Sequence, residues 1–261
     1  MQSKRVNKKG AKLKTNSISA IVVLCLFGLY ISDDVEARER VEVARVIDGD
    51  TVVLRDGRHV RLLGINAPEI SHHGGANEEG AIQAKETLER LIIKSPQFLE
   101  SDKELFDHYG RTLAYLFSAE GKNMNAELVR LGLVTVNLYP PNLKYSQRLI
   151  SSQYLAELEE LGIWGLPSYG FVNTNDLPLV KGKGWGRFRG EITAIDNDTK
   201  GVKIWLGERV YVWVKRSNLP YFNDLDGYLK THVEVRGWPR KRGRYWSIQV
   251  RHPSQMVNLL N

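Results

Sequence analysis

The sequence predicts a mainly β protein of the α+β class, built from two small β barrels in succession. Between residues 38 and 168, strand-like segments come first and helix-like segments follow, which is typical of a barrel with helices packed on it. From about residue 187, three alternating strands, a short helical segment and two more strands follow, which is the element order of an OB fold. With 261 residues, of which 42% are hydrophobic and 26% charged, the chain can form two such cores.

Charge and composition indicate where the parts meet. Residues 38–180 contain 15 Lys/Arg against 20 Asp/Glu, whereas residues 181–261 contain 16 against seven. A stretch rich in Gly, Pro, Asn and Ser lies between the two and predicts a linker. The predicted parts are an N-terminal segment (1–37), a first domain (38–168), a linker (169–186) and a basic OB-like domain (187–261).

The N-terminal segment has the pattern of an export signal. Six basic residues precede 14 apolar residues, Ile18–Ile31, and the small residues Val35 and Ala37 then have the spacing of a cleavage site. An uncleaved membrane anchor at residues 18–31 is one alternative, although 14 residues are short for a helix that crosses a bilayer. A helix buried in the protein is a second alternative. A signal or an anchor would place the rest of the chain in the periplasm or outside the cell. Cys25, the only cysteine, lies in this segment, so the remainder has no disulfide.

The first domain begins with three strands, at residues 41–47, 50–57 and 58–65, and Asp56-Gly57 predicts a hairpin turn between the last two. Two more strands are predicted at residues 96–106 and 111–121. Helices are predicted at residues 77–94, 123–133 and 146–164. Their expected inward side chains are Ile82, Leu88, Leu91 and Ile92 in the first helix and Leu149, Tyr154, Leu155 and Leu158 in the last.

Acidic residues flank a glycine at the first strand turn, in the sequence IDGDT. Asp48 and Asp50 are hard oxygen donors of the kind that Ca²⁺ and Mg²⁺ prefer. Asp-Gly pairs also form ordinary turns, so this fragment alone does not identify a metal site.

Two arginines and a glutamate add to this turn. Arg61 and Glu69 belong to RLLGINAPE, which also contains Asn66 and the Ala67 carbonyl, and Arg111 follows a Tyr-Gly turn. Arginine side chains bind phosphate at two points and neutralise charge in a phosphoryl transition state. A glutamate can act as a general base on water. Together these residue types can support attack of water on a phosphodiester.

Several separated motifs resemble those of the staphylococcal nuclease (thermonuclease) family: VIDGDTVVL, VRLLGINAPE, DHYGRTLAYL, LVRLGLVTV and YPPN. They occur in the family's order between about Val41 and Trp164. The resemblance implies a five-stranded OB-type barrel with packed helices. It also implies Ca²⁺-dependent cleavage of DNA and RNA that releases products with a 3′-phosphate.

By position, the resemblance implies a set of site residues. Asp50 and the Ala67 carbonyl match the metal ligands, Arg61 and Arg111 match the catalytic arginines, and Glu69 matches the residue usually assigned as general base. Tyr139 matches an aromatic residue near the nucleotide, and Tyr109 is a second candidate for substrate binding.

The sequence departs from the family pattern at two positions. Asn66 replaces a metal-binding aspartate; its amide oxygen is a ligand without charge, which predicts weak Ca²⁺ binding and leaves Mg²⁺ and Mn²⁺ open. Asn137 replaces a tyrosine that is common in the nucleotide pocket. In the nearby loop, His72 and His73 are expected to be solvated, although contact with a metal or substrate is an alternative.

The basic third contains five of the six tryptophans. Positive charge and aromatic side chains on a small barrel favour binding of single-stranded nucleic acid. Trp205 and Trp213 lie within strands and are expected in the core, whereas Trp238 and Trp246 flank the basic turn PRKRGR, which is expected at the tip of the last hairpin.

The interpretation that uses most of these features is an exported, metal-dependent nuclease with DNA or RNA as its partner and no obligate protein partner. One alternative is a catalytically weak or inactive nucleic-acid-binding protein on the same scaffold, in which GINAPE is only a turn. Another is a membrane-tethered protein-interaction module.

Overall fold

A computed structural model describes residues 38–71, 74–93, 96–177 and 184–259. The predicted signal or anchor at residues 1–37 lies outside the described residues, as do His72 and His73. In the described ranges, no helix is long and apolar enough to cross a membrane. The chain from Arg38 onward forms one compact unit. Within it we distinguish an N-terminal lobe, Glu39–Gly165, and a C-terminal lobe, Phe171–Asn258.

The N-terminal lobe is built on a closed sheet with the strand order β1-β6-β7-β4-β3-β2. The strands β1 and β2 lie at opposite edges of this order, yet only Glu42 separates them along the chain. The sheet therefore closes on itself, and β1 and β2 act as one bent strand of the predicted five-stranded barrel. The strands are β1 Glu39–Val41, β2 Val43–Asp48, β3 Thr51–Leu54, β4 His59–Leu62, β6 Gln97–Glu100 and β7 Thr112–Ser118, with β5 Ile65–Asn66 and β8 Thr135–Val136 forming a separate pair.

Three α-helices pack on this barrel: α1 Ala81–Ile93, α2 Met124–Arg130 and α3 Ser146–Leu158. The side chain of Asn123 accepts a hydrogen bond from the Ala126 N–H and so caps the start of α2. Leu88 of α1 and Leu149 of α3 are fully buried against the barrel, as predicted. Ile82 of α1 was expected inward and is instead 47% exposed, because the buried face of α1 runs through Ala81, Ala84 and Leu88.

The inward face of α3 differs from the prediction. Three side chains expected in the core are largely exposed: Tyr154, Leu155 and Leu158. The buried face consists of Leu149, Gln153 and Ala156. Gln153 lies inside because its side-chain oxygen accepts a 2.6 Å hydrogen bond from the Val136 N–H of β8. A hydrophobic pattern cannot reveal a glutamine that points inward, so the predicted buried face of α3 was wrong.

The C-terminal lobe is a second β structure with its own hydrophobic core. Its strand order is β14-β15-β12-β11-β10-β13-β16. The long strand β10 pairs with β13 in its first half and with β11 in its second, and a register shift between Ile192 and Ala194 marks the bend. The strands are β9 Phe171–Asn173, β10 Gly186–Asp198, β11 Gly201–Leu206, β12 Val210–Lys215, β13 His232–Gly237, β14 Pro239–Arg242, β15 Tyr245–Val250 and β16 Met256–Asn258.

Two details of this lobe follow the predicted element order. The 3-10 helices Arg216–Tyr221 and Asp226–Tyr228 occupy the expected helical segment between β12 and β13. Of the basic segment PRKRGR, which was expected at the tip of the last hairpin, Pro239–Arg242 form β14 and only Gly243 and Arg244 form the tip. Within the stretch expected as a linker, β9 pairs in parallel with β10 and Leu177 is buried in the core of this lobe, while residues 178–183 lie outside the described residues.

Trp205 and Trp213 are not core residues, contrary to expectation. The inward positions of β11 are Val202, Ile204 and Leu206, so strand alternation directs Trp205 to the outer face. In β12 the valines point inward in the same way and Trp213 lies outside. Both indoles are half-buried on the surface of the sheet.

A buried cluster of charged side chains joins the two lobes. Glu234 of β13 is 1% exposed, and its carboxylate accepts hydrogen bonds from three arginines of the C-terminal lobe. Arg236 also forms a two-point ion pair with Glu157 of α3, at 2.6 Å and 2.8 Å. We call Glu157, Arg187, Arg189, Glu234 and Arg236 the interlobe network.

Aromatic packing beside this network adds to the contact between the lobes. Trp185, just before β10, lies 6.2 Å from Trp164 and 5.8 Å from Tyr169 between ring centroids. The guanidinium of Arg187 lies 5.5 Å from the centroid of the Trp164 ring. Aromatic packing and paired charges therefore both contribute to the contact between the lobes.

We expect Arg236→Ala to lower the free energy of unfolding by about 3 kcal/mol, because it leaves the buried Glu234 and Glu157 with fewer partners. Urea unfolding followed by fluorescence measures this. Arg55→Ala is the matched control, since its ion pair with Glu42 is exposed and is worth roughly 0.5 kcal/mol. Equal effects of the two substitutions would contradict the structural role of the network.

The same network predicts a dependence of stability on pH. Burial raises the pKa of Glu234, but hydrogen bonds from Arg187 and the charge of Arg236 outweigh it and hold the pKa below its ordinary value of 4.5. This carboxylate therefore contributes its full stabilisation above pH 4.5 and loses it as the pH falls through the lower folded-state pKa. The difference in urea midpoint between wild type and Glu234→Gln should shrink below pH 4.5, and a difference that stays constant from pH 7 to pH 3 would contradict the assignment.

Candidate active site

A cleft of about 590 Å³ lies where the two lobes meet. Strands β4 and β5 and the turn before β7 form its wall on the N-terminal lobe, and Trp238, Arg240, Gln249 and Arg251 form its wall on the C-terminal lobe. Five of the predicted site residues line it: Arg61, Asn66, Tyr109, Arg111 and Tyr139. The remaining three do not line the cleft: Asp50 and Ala67 are buried, and Glu69 is exposed.

The turn between β2 and β3 positions Asp50. A Cβ atom on Gly49 would lie 2.7 Å from the Ala84 Cβ and 2.8 Å from the Ala67 Cβ, so only glycine allows α1 to pack on this turn. The carboxylate of Asp48 accepts a hydrogen bond from the Asp50 N–H and shapes the turn. The glycine between the two aspartates is thus explained by packing.

The Asp50 carboxylate is 4% exposed and faces donors from three directions. It accepts hydrogen bonds from the Ala67 N–H at 2.6 Å and the Thr51 hydroxyl at 3.0 Å, and it pairs with the Arg61 guanidinium at 3.0 Å. Burial nevertheless raises its pKa to about 7, in spite of the opposing charge of Arg61. The site therefore has less positive charge than a buried carboxylate needs.

Asn66 and Ala67 place two more oxygens next to Asp50. Arg61 donates to the Asn66 side-chain oxygen at 3.3 Å, and the Asn66 amide donates to the Ala67 carbonyl at 3.0 Å. Pairing of β5 with β8 holds this segment, and the Thr135 hydroxyl donates to the Asn66 carbonyl. Arg61 thus contacts two of the three predicted ligand residues, Asp50 and Asn66, and hydrogen bonds join the third, Ala67, to both of these.

These oxygens are suited to a hard divalent cation. A cation would compensate the buried Asp50 carboxylate, whose negative charge is costly in this setting. Asp50 is the only one of the three ligands that can carry charge. In the part of the chain that the structure describes, no group of three or more His, Cys, Asp or Glu side chains could hold a metal. A site with a single charged ligand is expected to bind Ca²⁺ weakly.

Glu69 lies at the exposed rim, just after this cluster. Its backbone is fixed by Glu78, whose carboxylate accepts from the Glu69 N–H and whose own N–H donates to the Glu69 carbonyl. Partial shielding from water and the charges of Asp48 and Glu78 raise the pKa of Glu69, while Arg61 and Arg111 act in the opposite direction. Both arginines are thus close enough to influence this carboxylate.

Arg111 is held by Asp107, four residues earlier. Its Nε donates to the Asp107 carboxylate at 2.7 Å, and its backbone N–H donates to the same carboxylate at 2.9 Å. Tyr109 is 75% exposed at the mouth of the cleft, and the Arg111 guanidinium lies 5.6 Å from the centroid of its ring.

Residues of both lobes meet at the other end of the cleft. The guanidinium of Arg251 lies 4.3 Å from the centroid of the Tyr139 ring. Asn137 also lines the cleft; it is 4% exposed, and its side-chain oxygen has no hydrogen-bond partner within the described residues. This oxygen is therefore buried behind the cleft wall without a partner.

Sequence reasoning missed several contributors to the cleft. Asp107 stands four residues before Arg111, a spacing that a search for charged pairs would have detected. Glu78 and the C-terminal residues Trp238 and Arg251 carry no local signal, because their roles depend on contacts distant in sequence.

Comparison with known proteins agrees with this geometry. The family described as "Staphylococcal nuclease homologue" matches residues 59–165. The "Thermonuclease" of Staphylococcus intermedius is 34% identical over 158 residues, covering 56% of this chain and 94% of the relative. The "Thermonuclease" of Staphylococcus hyicus is 35% identical over 127 residues (47% and 74%), and "Endonuclease YhcR" of Bacillus subtilis is 28% identical over 172 residues (57% and 13%). The chain therefore belongs to the staphylococcal nuclease family.

Proposed function

We propose that this chain is a Ca²⁺-dependent endonuclease that hydrolyses phosphodiester bonds in DNA and RNA. Its family membership, with relatives named thermonuclease and endonuclease, supports a phosphodiesterase. The observation that carries the proposal is the position of Arg61, which contacts both Asp50 and Asn66 and lines the cleft together with Arg111.

The two arginines bind the phosphate. Arg61 is oriented by hydrogen bonds to the Asn66 side-chain oxygen and the Leu62 carbonyl and by an ion pair with Asp50. Arg111 is oriented by Asp107 on the same wall of the cleft, just before β7, which pairs with β4. Fixed guanidinium groups stabilise the negative charge that builds on the phosphate oxygens during the reaction.

Glu69 accepts the proton of the attacking water. Its raised pKa, with partial shielding as the main cause, brings its basicity closer to that needed at neutral pH. The water oxygen then bonds to phosphorus and the bond to the 5′ oxygen breaks. That oxygen takes a proton from solvent and leaves as a 5′-hydroxyl, and the other product carries a 3′-phosphate. Glu78 fixes the backbone of Glu69 and so acts as a positioning residue.

Asp50, Asn66 and the Ala67 carbonyl are the residues that would hold Ca²⁺. When bound, the ion supplies positive charge that favours phosphate binding and the charge of the transition state. The neutral Asn66 makes this site weaker than one with two aspartates.

The place of action in this proposal is outside the cytoplasm. The basic, apolar and small-residue order of residues 1–37 supports export, with residues 18–31 as signal core or membrane anchor. Fractionation of cells that express the tagged protein tests this, and recovery of the full-length chain only in the cytoplasm would contradict it.

We expect Glu69→Gln to lower kcat on single-stranded DNA by about 10² to 10⁴-fold, because the general base is lost. Arg111→Ala should lower it by roughly 10² to 10³-fold through loss of transition-state donors. Initial rates with Ca²⁺ and an EDTA control measure both effects. Glu86→Gln, an exposed glutamate of α1, is the control and should match wild type. Binding of DNA without cleavage at any Ca²⁺ concentration would favour the alternative of an inactive nucleic-acid-binding protein.

We expect Asn66→Asp to tighten Ca²⁺ binding on the order of tenfold, because it adds a second charged ligand beside Asp50. Isothermal titration of the protein with Ca²⁺, Mg²⁺ and Mn²⁺ in the absence of substrate gives the affinities independently of activity. Asn66→Ala, which removes the oxygen, should weaken Ca²⁺ binding. Unchanged Ca²⁺ affinity in both variants would exclude Asn66 as a ligand, and preference for another ion would correct the assignment of Ca²⁺.

A further inference from the structure

We propose that the outer face of β11, β12 and β15 binds single-stranded polynucleotide and leads it into the cleft. This inference rests on the proposed function of the cleft, since it names the form of the substrate and the surface that holds it. We call this surface the aromatic face, and its residues are Lys203, Trp205, Tyr211, Trp213, Tyr245 and Gln249.

Strand register places these side chains on one surface. Lys203 of β11 lies opposite Trp213 of β12, which in turn lies opposite Gln249 of β15. The next row consists of Trp205 and Tyr211. The alternate residues of the same strands, such as Ile204, Val212 and Ile248, fill the core. The alternation of side chains along the three strands therefore places all residues of the aromatic face on the same side of the sheet.

The aromatic rings form a cluster that remains partly open to solvent. The Trp205 ring lies 5.2 Å from Tyr211 and 5.1 Å from Tyr245 between centroids. The Trp205 N–H donates a 2.6 Å hydrogen bond to Asp196, which fixes the indole. All three rings are half-buried, so each keeps an exposed part on which a base can stack.

Cations accompany these rings. The Lys203 ammonium lies 5.8 Å from the centroid of Tyr211, and the Arg244 guanidinium lies 4.8 Å from the centroid of Tyr245. Asp196 and Asp198 of β10 are acidic residues on this surface, because Asp196 is the register partner of Lys203 and Asp198 is that of Gly201. Residues 181–261 as a whole nevertheless carry 16 Lys/Arg against seven Asp/Glu. The face thus combines stacking surfaces with charges that attract phosphate.

The aromatic face is continuous with the cleft. Gln249 lines the cleft and is the register partner of Trp213. Arg240 also lines the cleft and pairs with Ser247, which is the register partner of Tyr211. Neighbouring strands are about 4.8 Å apart, so the first ring stands one strand spacing from the cleft wall. A chain bound on the face can enter the cleft without leaving the protein surface.

The chemistry of the face selects a single strand. Stacking on a protein ring needs a base whose face is free, and the bases of a duplex are already stacked on each other. A duplex would offer only its phosphates to Lys203 and Arg244, so it would gain nothing from the rings. Preference for single strands and dependence on the rings are therefore linked predictions.

The test is the affinity of the full-length protein for a fluorescent 20-nucleotide thymidine oligomer, measured by anisotropy in EDTA so that it is not cleaved. The double substitution Tyr211→Ala/Trp213→Ala should weaken binding by about tenfold or more. Tyr154→Ala is the matched control, because Tyr154 is 66% exposed on α3 and lines neither the cleft nor the face. Gln249→Glu adds a negative charge to the face without removing a ring and should also weaken binding. It therefore tests the face even if the double variant does not fold.

A small chromogenic phosphodiester of thymidine separates this inference from the proposed function, because it is short enough to occupy the cleft alone. Its cleavage by the double variant should equal that of wild type. If wild type fails to cleave this substrate while the double variant still loses oligomer binding, the catalytic proposal is refuted and the binding role of the aromatic face is supported. The inference would be overturned if the double variant and Gln249→Glu cleaved the small substrate normally and also bound the oligomer as tightly as wild type. It would likewise be overturned if wild type bound a 20-base-pair duplex as tightly as the single strand.

Discussion

The buried carboxylate of Glu234 is the constraint on which the arrangement of the two lobes depends. A carboxylate with 1% exposure is tolerated only with several strong donors, and here Arg187, Arg189 and Arg236 supply them. Arg236 extends this requirement to Glu157 of α3 in the other lobe. The next turn of α3 carries Gln153, which holds β8, and β8 pairs with the strand that carries Asn66. A continuous set of buried contacts thus runs from the lobe interface to the candidate metal ligands.

Charge is distributed unevenly between the two lobes. The catalytic lobe is acidic and its candidate metal site has only Asp50 as a charged ligand, so it attracts a polyanion poorly when free of metal. The C-terminal lobe carries the positive charge and supplies Arg240 and Arg251 to the cleft wall. In the proposed function, positive charge on one lobe would bring the substrate to the candidate site on the other, and contacts between the lobes hold the two together.

Much of the N-terminal lobe was predictable because its signals are local. Turn residues, strand alternation and the spacing of Arg61, Glu69 and Arg111 can be seen in short segments. The structure places Arg61 and Arg111 on the wall of one cleft, whereas Glu69 is exposed and outside its lining. The predictions failed where a polar residue took an inward position, as Gln153 did, or where aromatic residues alternate outward on a strand, as Trp205 and Trp213 do. The contributions of Trp238 and Arg251 were not predictable, since they exist only after the lobes have docked.

The claim that both lobes form one cleft is tested most directly by the KM of Arg251→Ala for the small thymidine phosphodiester. This substrate reaches only the cleft, and Arg251 enters it from the C-terminal lobe, over Tyr139. We predict a rise in KM of about tenfold, the cost of one charge-assisted contact, with Arg209→Ala unchanged because that exposed arginine lies away from the cleft. Identical KM and kcat values for wild type and Arg251→Ala would contradict the account, because the N-terminal lobe would then bind its substrate alone.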